Sequence, residues 1–421
     1  MTSQAFALLF AVALLASVAT KLWLATRQIR HVAAHRDSVP ASFASRIDLA
    51  AHQRAASYTI ERTRLSIVES VFGALVLLGF TLFGGLQALL GTLGSLLPDS
   101  AFVRSMAFVA AVFAISALLE LPFAWVRQFR IEQRFGFNRM TPRLFFADAA
   151  KAAAVAAMLG LPLLALVLWL MRSSGGLWWL WVWAAWAVFN VGVLVLYPTV
   201  IAPLFNRFEP LPGGELRTRV EALLARCGFA SRGLFVMDGS RRSAHGNAYF
   251  TGLGRAKRIV FFDTLLSRLE PPEIEAVLAH ELGHYERRHV QKRIALMFAA
   301  SLAGLWLLGW LSRQAWFYQG LGVSPGIGEL DAVALVLFLL VMPVFTFLLQ
   351  PLFAAVSRRH EFEADAFAAR HARAQDLVAA LVKLYKDNAS TLTPDPVHSA
   401  FYDSHPPASQ RIGRLGQLSS A

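Results

Sequence analysis

His280-Glu281-Leu282-Gly283-His284 is an H-E-x-x-H pentapeptide, and the reading of the whole chain turns on it. On a helix, residues four apart share a face, so both imidazoles reach toward one metal ion. Glu281 lies one step round and can meet a water on that ion. The chemistry needs this arrangement: zinc lowers the pKa of a bound water toward about 7, and a carboxylate takes the proton as the water attacks a carbonyl. Glycine inside a helix costs about 1 kcal/mol against alanine, so Gly283 predicts the close approach of another backbone or of the metal site itself. The chain has one cysteine, Cys227, which excludes an intrachain disulfide and a thiolate metal cluster. It reads as a small buried apolar residue, and any metal must be held by His, Asp or Glu.

A catalytic zinc is expected to have three protein ligands and one open position. The best source of a third is Glu361-Phe362-Glu363-Ala364-Asp365. Glu361 and Asp365 are four apart and share a helical face. One carboxylate could take the metal while the other accepts a hydrogen bond from a ligating His and so orients it. The competing reading is an exposed acidic turn following Arg358-Arg359.

The surroundings of these motifs are membrane-like. Of 421 residues, 56% are hydrophobic and 16% charged, whereas soluble domains carry about 25% charge. Seven stretches are long enough to cross a bilayer: Ala5 to Ala25, Ser66 to Leu96, Met106 to Val126, Ala149 to Met171, Leu177 to Leu204, Ile294 to Trp316 and Ala332 to Val356. The second and fifth exceed the need and are expected to tilt or project. The first lacks the positive n-region of a secretory signal and reads as a retained transmembrane helix. This divides the chain into five spans over 1–205, a polar domain with a small β element over 206–293, two spans over 294–356, and a C-terminal polar segment over 357–421. Within the polar domain, Arg258 to Phe262 reads as a strand. Pro271-Pro272 followed by Glu273 and Glu275 reads as a helix start.

The formal net charge of +13 would suggest nucleic acid in a soluble protein. Here the arginines cluster in loops beside apolar segments and read as topology determinants and anionic-lipid contacts, with no nucleic-acid partner. Arg27, Arg30, Arg36, Arg46, Arg54, Arg62 and Arg64 follow the first span; Arg127, Arg130, Arg134, Arg139 and Arg143 follow the third. The positive-inside rule places both loops in the cytoplasm. The N-terminus is then outside, and the H-E-x-x-H domain and the C-terminus are cytoplasmic. Two spans separate His284 from Glu361, and an even number returns the chain to the same side, so the three ligands can meet. Glu120 lies inside an apolar span and is expected to line a water-filled chamber.

With these residues in view, the chain resembles the type I CAAX prenyl protease family, seven-span membrane metalloproteases of the gluzincin type. The resemblance rests on Gly246-Asn247-Ala248-Tyr249-Phe250, Lys257 to Leu266, His280 to His284, Arg358 to Ala369 and Ser404-His405-Pro406-Pro407. Phe135-Gly136-Phe137-Asn138, Tyr197-Pro198 and Pro203 to Phe208 add to it in the N-terminal half. It implies a mainly α fold, seven helices around a chamber capped by a zinc protease domain. It implies that His280, His284 and Glu361 hold one Zn2+, that Glu281 is the general base and that Asp365 orients a ligand. Asn247 would hold the substrate backbone, with Tyr249 beside it. His405 and Arg411, six apart, would stabilise the oxyanion and orient the site. Pro406-Pro407 stiffens the segment carrying His405, as an oxyanion donor requires.

The implied activity is endoproteolysis of C-terminal CAAX tails on peptides or proteins bearing a prenyl group. The compact, Ala- and Arg-rich chain is expected to be a bacterial, inner-membrane member and a monomer. A membrane quality-control zinc protease is the alternative; such proteins are shorter, with fewer spans. A metal-binding transporter would carry its polar groups near the membrane midplane, whereas here they lie in the soluble part.

Overall fold

Within a bilayer an apolar run has no hydrogen-bond partner but its own backbone, and so it coils into a helix. The computed structural model describes residues 1–229, 233–251, 258–324 and 326–419. Among these, seven helical segments are long and apolar enough to cross a membrane. Five come first: α1 (Ser3–Ala34), α2 (Leu49–Phe80) with a short α3 (Gly85–Leu96) after it, α4 (Ala101–Val126), α5 (Pro142–Ser173) and α6 (Trp178–Leu196). α4 continues as a wider π-type coil to Glu132, and α6 continues irregularly to Leu204.

The polar domain then supplies β1 (Phe208–Pro210), α7 (Glu215–Arg226), β2 (Leu234–Met237), β3 (Ala248–Thr251), β4 (Arg258–Phe262), α8 (Asp263–Leu266) and α9 (Pro271–Glu286). The sixth span is α10 (His289–Leu311), followed by a short α11 (Ala315–Gln319). The seventh begins with α12 (Leu330–Thr346) and runs through one tight turn into α13 (Gln350–His371). α14 (Ala374–Asp387), α15 (Pro396–Tyr402) and α16 (Ala408–Ser419) complete the chain.

One expectation is corrected. The single long second span over Ser66 to Leu96 is broken at Thr81–Gly84. Gly84 takes a left-handed φ of +76° there, a conformation that glycine adopts without steric cost. α2 gains its length from the other side, starting at Leu49, where the Asp48 side chain accepts the Ala51 N–H at 2.8 Å. α13 crosses residue 357 without a break and carries the helix of the seventh span on into the polar segment as far as His371. Glu120 is exposed and ion-paired to Arg127 at 3.7 Å. A cavity of about 690 Å³ lies between the first, second and seventh spans, bounded by Lys21, Ser66, Ser70, Phe347, Gln350 and Tyr402. Lys257, the first residue of one family-like stretch, lies outside the described residues.

The spans pack through Phe10, Phe108, Leu168, Leu308 and Leu337, while Leu15, Phe83 and Val188 point outward, as lipid-facing side chains do. A second core, including Leu223, Phe261, Ile274, Ala279, Phe367, Leu381 and Leu415, draws on both the 206–293 region and the C-terminal helices. Those two stretches therefore fold as one body. Its sheet has the order β1-β2-β4-β3. β4 pairs parallel with β2 and antiparallel with β3, which ends the sheet.

α9 begins where Pro271-Pro272 predicts. Glu273 accepts the Glu270 backbone N–H at 2.8 Å and completes a capping box, closing off donors the first turn leaves unsatisfied. The helix then packs on α13 so closely that a Cβ at Gly283 would lie 2.9 Å from Ala364 Cα and 3.1 Å from its carbonyl oxygen. Gly283→Ala is therefore expected to force the helices apart. Overpacking costs about 1–3 kcal/mol, offset in part by the roughly 1 kcal/mol by which alanine favours a helix. The apparent melting temperature in detergent and the bound-metal content should both fall; values equal to wild type would show that the contact is not limiting.

Candidate metal centre and active site

The close approach of α9 and α13 decides where the H-E-x-x-H side chains point. His280 and His284 project from one face of α9 toward Glu361 on α13. His280 Nε2 lies 3.3 Å from His284 Nε2 and 3.4 Å from Glu361 Oε2. His284 Nε2 lies 3.2 Å from Glu361 Oε1. These three residues meet the spacing a metal ion requires. The Glu361 carboxylate is buried, and its Oε2 has no hydrogen-bond partner among the described residues. A buried carboxylate oxygen without a donor is costly, and a cation held between it and the two imidazole lone pairs removes that cost.

The ring of His280 is fixed from behind. Its Nδ1 sits 2.8 Å from Asp365 Oδ1. Arg411, buried on α16, grips the same carboxylate through Nε at 2.8 Å and a terminal nitrogen at 2.6 Å, the two-pronged geometry that suits a guanidinium. Another of its nitrogens approaches Glu361 Oε2 at 3.7 Å. Arg411 thus reaches the cluster from behind Asp365. His405, just before α16, is exposed, with Nε2 3.4 Å from Glu361 Oε1. Glu281 is half-buried on α9, and its carboxylate has no hydrogen bond or ion pair to any described residue.

Asn247 and Tyr249 stand apart from this cluster, at the start of β3, which packs beside α9. Asn247 is exposed, and its side chain accepts the Ala248 N–H at 2.8 Å. Tyr249 is half-buried edge-on to Phe262.

Comparison with known proteins agrees with this geometry. Residues 28–207 match the family model described as the CAAX prenyl protease N-terminal region of five membrane helices. Residues 210–419 match peptidase family M48. The chain is 34% identical to a CAAX prenyl protease 1 homolog of Arabidopsis thaliana, over 86% of each sequence. It is 32% identical to CAAX prenyl protease 1 of Saccharomyces cerevisiae, over 90% of this chain and 89% of that one.

The chain belongs to the CAAX prenyl protease family, peptidase family M48.

It superposes on the crystal structure of S. mikatae Ste24p with a TM-score of 0.91 at 29% identity, covering 97% of this chain and 99% of the other. It is an integral membrane metalloprotease.

The protease contains two supports that spacing alone does not reveal. The first is a clamp on the loop before Asn247. His245 Nε2 lies 3.2 Å from Glu132 Oε2, and Tyr58 donates to the other Glu132 oxygen at 2.5 Å. His245 Nδ1 and the Gly246 N–H both meet Asn388 Oδ1 at 3.2 Å. The ring stacks on Phe137 at 4.3 Å. The polar ends of two spans and the end of α14 therefore hold the approach to β3. Phe135 to Asn138 is one of the family-like stretches, but nothing in its spacing points to His245. The second support is His289, beside His284.

Burial and the Arg411 charge push the His280 pKa down, but hydrogen bonds to Asp365 and Glu361 outweigh them and raise it to about 9. In the metal-free protease, His280 therefore holds a proton up to about pH 9, and an incoming cation must displace it. Metal affinity is expected to climb by about tenfold per pH unit, one proton for one ion, and to level off above that pKa. Chelator competition between pH 6.5 and 9.5 measures it; a flat profile would contradict the assignment.

Proposed function

We propose that this protease is a zinc endopeptidase that processes C-terminal CAAX-type tails of peptides or proteins, including lipidated ones. One observation carries the zinc assignment. Each of His280, His284 and Glu361 offers a ligand atom, and these atoms all lie within 4.8 Å of one another; the two imidazole nitrogens are 3.3 Å apart, close to the roughly 3.3 Å between neighbouring ligand atoms of a tetrahedral site with bonds of about 2.0–2.1 Å. Two imidazoles and one carboxylate form a donor set that leaves one position open, as catalytic zinc requires.

Zinc, when bound, would supply Lewis acidity and a bound water of lowered pKa. The remaining work falls to the chain's own side chains. Glu281, without a partner among the described residues, takes the proton of the attacking water and passes it to the leaving amine. His405 faces the cluster from the solvent side and donates a hydrogen bond to the oxygen on which charge develops. Asp365 receives the His280 Nδ1–H and keeps Nε2 bare toward the metal, while Arg411 holds Asp365. Asn247 and Tyr249 receive the substrate backbone. β3 ends the sheet among the described residues, and a terminal strand offers unpaired peptide groups to an extended chain.

The substrate class is carried by the relatives named as CAAX prenyl proteases. The cavity between the first, second and seventh spans offers Pro343, Phe347 and Phe353 to an apolar chain. The arginine-rich loops support a cytoplasmic active site, with the 206–293 and 357–421 segments together on that face. Compact length and Ala- and Arg-rich composition support a bacterial inner membrane. All the proposed residues come from one chain, which supports a monomer.

The test uses purified protein and synthetic CAAX peptides, farnesylated and bare. Cleavage is expected to vanish with a chelator and return with zinc. Glu281→Gln should lower kcat by about 10²–10⁴-fold, the range of general acid–base catalysis. Turnover indifferent to both treatments would end the zinc-protease reading. Equal kcat/KM for the two peptides would remove the lipid from the recognised substrate.

A further inference from the structure

His280 has its orienting carboxylate in Asp365, whereas His284 Nδ1 has none among the described residues. Behind the His284 ring stands another imidazole: His284 Nδ1 lies 3.0 Å from His289 Nδ1. His289 is 3% exposed. Its far nitrogen, Nε2, lies 3.0 Å from Glu363 Oε2, and the other Glu363 oxygen accepts from Arg359 Nε at 3.1 Å. His360 stacks on the His289 ring at 3.9 Å, 11° from parallel, fixing its plane.

The proton positions along this chain follow from one requirement. His284 must present a bare Nε2 to the metal, so its proton sits on Nδ1. Two nitrogens 3.0 Å apart share one proton, so His289 Nδ1 is the acceptor. His289 then carries its own proton on Nε2 and donates it to the Glu363 carboxylate. Every donor meets an acceptor only in this tautomeric arrangement.

We propose that His289, held by Glu363 and Arg359, is the positioning residue that fixes the tautomer and ring orientation of the metal ligand His284. The role is built by the fold. His289 is the first residue of the sixth span, only five residues after His284. Arg288 turns the chain between them in a left-handed conformation, φ 55°, which is uncommon for a side-chain-bearing residue. Glu363 and Arg359 stand on α13, two residues to either side of Glu361. Their side chains leave the helix in another direction from Glu361 and reach His289 instead of the metal. The two imidazole ligands are thus oriented independently, His280 by Asp365 and His284 by His289.

The inference rests on His284 being a metal ligand, and its test reads metal binding rather than cleavage. The zinc dissociation constant of detergent-purified full-length protein is measured by chelator competition. His289→Phe leaves the His284 Nδ1–H without an acceptor and should weaken zinc by about 10–100-fold, the cost usual for losing such a partner. Two polar variants guard against misfolding. His289→Asn places an amide oxygen near the position of Nδ1 and should retain zinc within a few-fold of wild type. His289→Gln replaces the Nε2 end and should bind as weakly as His289→Phe. Glu363→Leu should also weaken zinc, and Glu363→Gln, which still accepts from Nε2, should not. Equal dissociation constants for the Asn and Gln variants would overturn the proposal. Failure of the wild-type protein to bind zinc would instead overturn the zinc reading itself.

Discussion

A backbone-to-backbone contact between Gly283 and Ala364 sets the distance between two helices, and that distance sets the metal site. With α9 against α13 and no Cβ between them, side chains from both reach one point. His280 and His284 come from one helix and Glu361 from the other. A larger residue at position 283 would wedge the helices apart near the point where Glu361 must lie within 3.2–3.4 Å of both imidazoles. Close-packed interiors transmit such a displacement rather than absorb it.

The membrane spans do more than anchor this centre. α13 is the continuation of the seventh span, so Glu361, Asp365 and Glu363 ride on a rod whose other end is fixed among transmembrane helices. The sixth span begins at His289, beside His284. A third tie joins the first span to the C-terminal segment, where Arg27 grips both oxygens of the buried Asp395 at 3.2 and 3.0 Å. The three proposed ligands are therefore braced through helices long and apolar enough to cross a bilayer. This suits a site whose ligands must be positioned within a few tenths of an ångström.

Local rules make part of this legible in the sequence. The H-E-x-x-H spacing put two imidazoles on one face, Arg258 to Phe262 read as a strand, and Pro271-Pro272 marked a helix start. The even number of spans between His284 and Glu361 allowed the ligands to meet on one side of a membrane. Other features were hidden for identifiable reasons. The first four turns of α2 carry Arg54, Glu61, Arg62 and Arg64, so hydropathy hid a helix that begins at Leu49. The break at Thr81–Gly84 interrupts an apolar run whose composition hardly changes across it. The ion pair of Glu120 with Arg127, seven positions on, needs the helix to bring the two side chains to one face.

By itself the sequence determined seven apolar spans, the pair of imidazoles and the short list of carboxylates able to join them, because hydropathy and helical periodicity act over a few turns of chain. Only the tertiary structure decided which carboxylate faces the imidazoles, that Arg411 closes on Asp365, that His289 stands behind His284 and that His245 clamps the approach to β3. These contacts join residues from 5 to 143 positions apart, and they exist only once helices from separate parts of the chain have packed. Burial then turns each hydrogen bond between them into a constraint on ring orientation and proton position, which no pattern of spacing encodes.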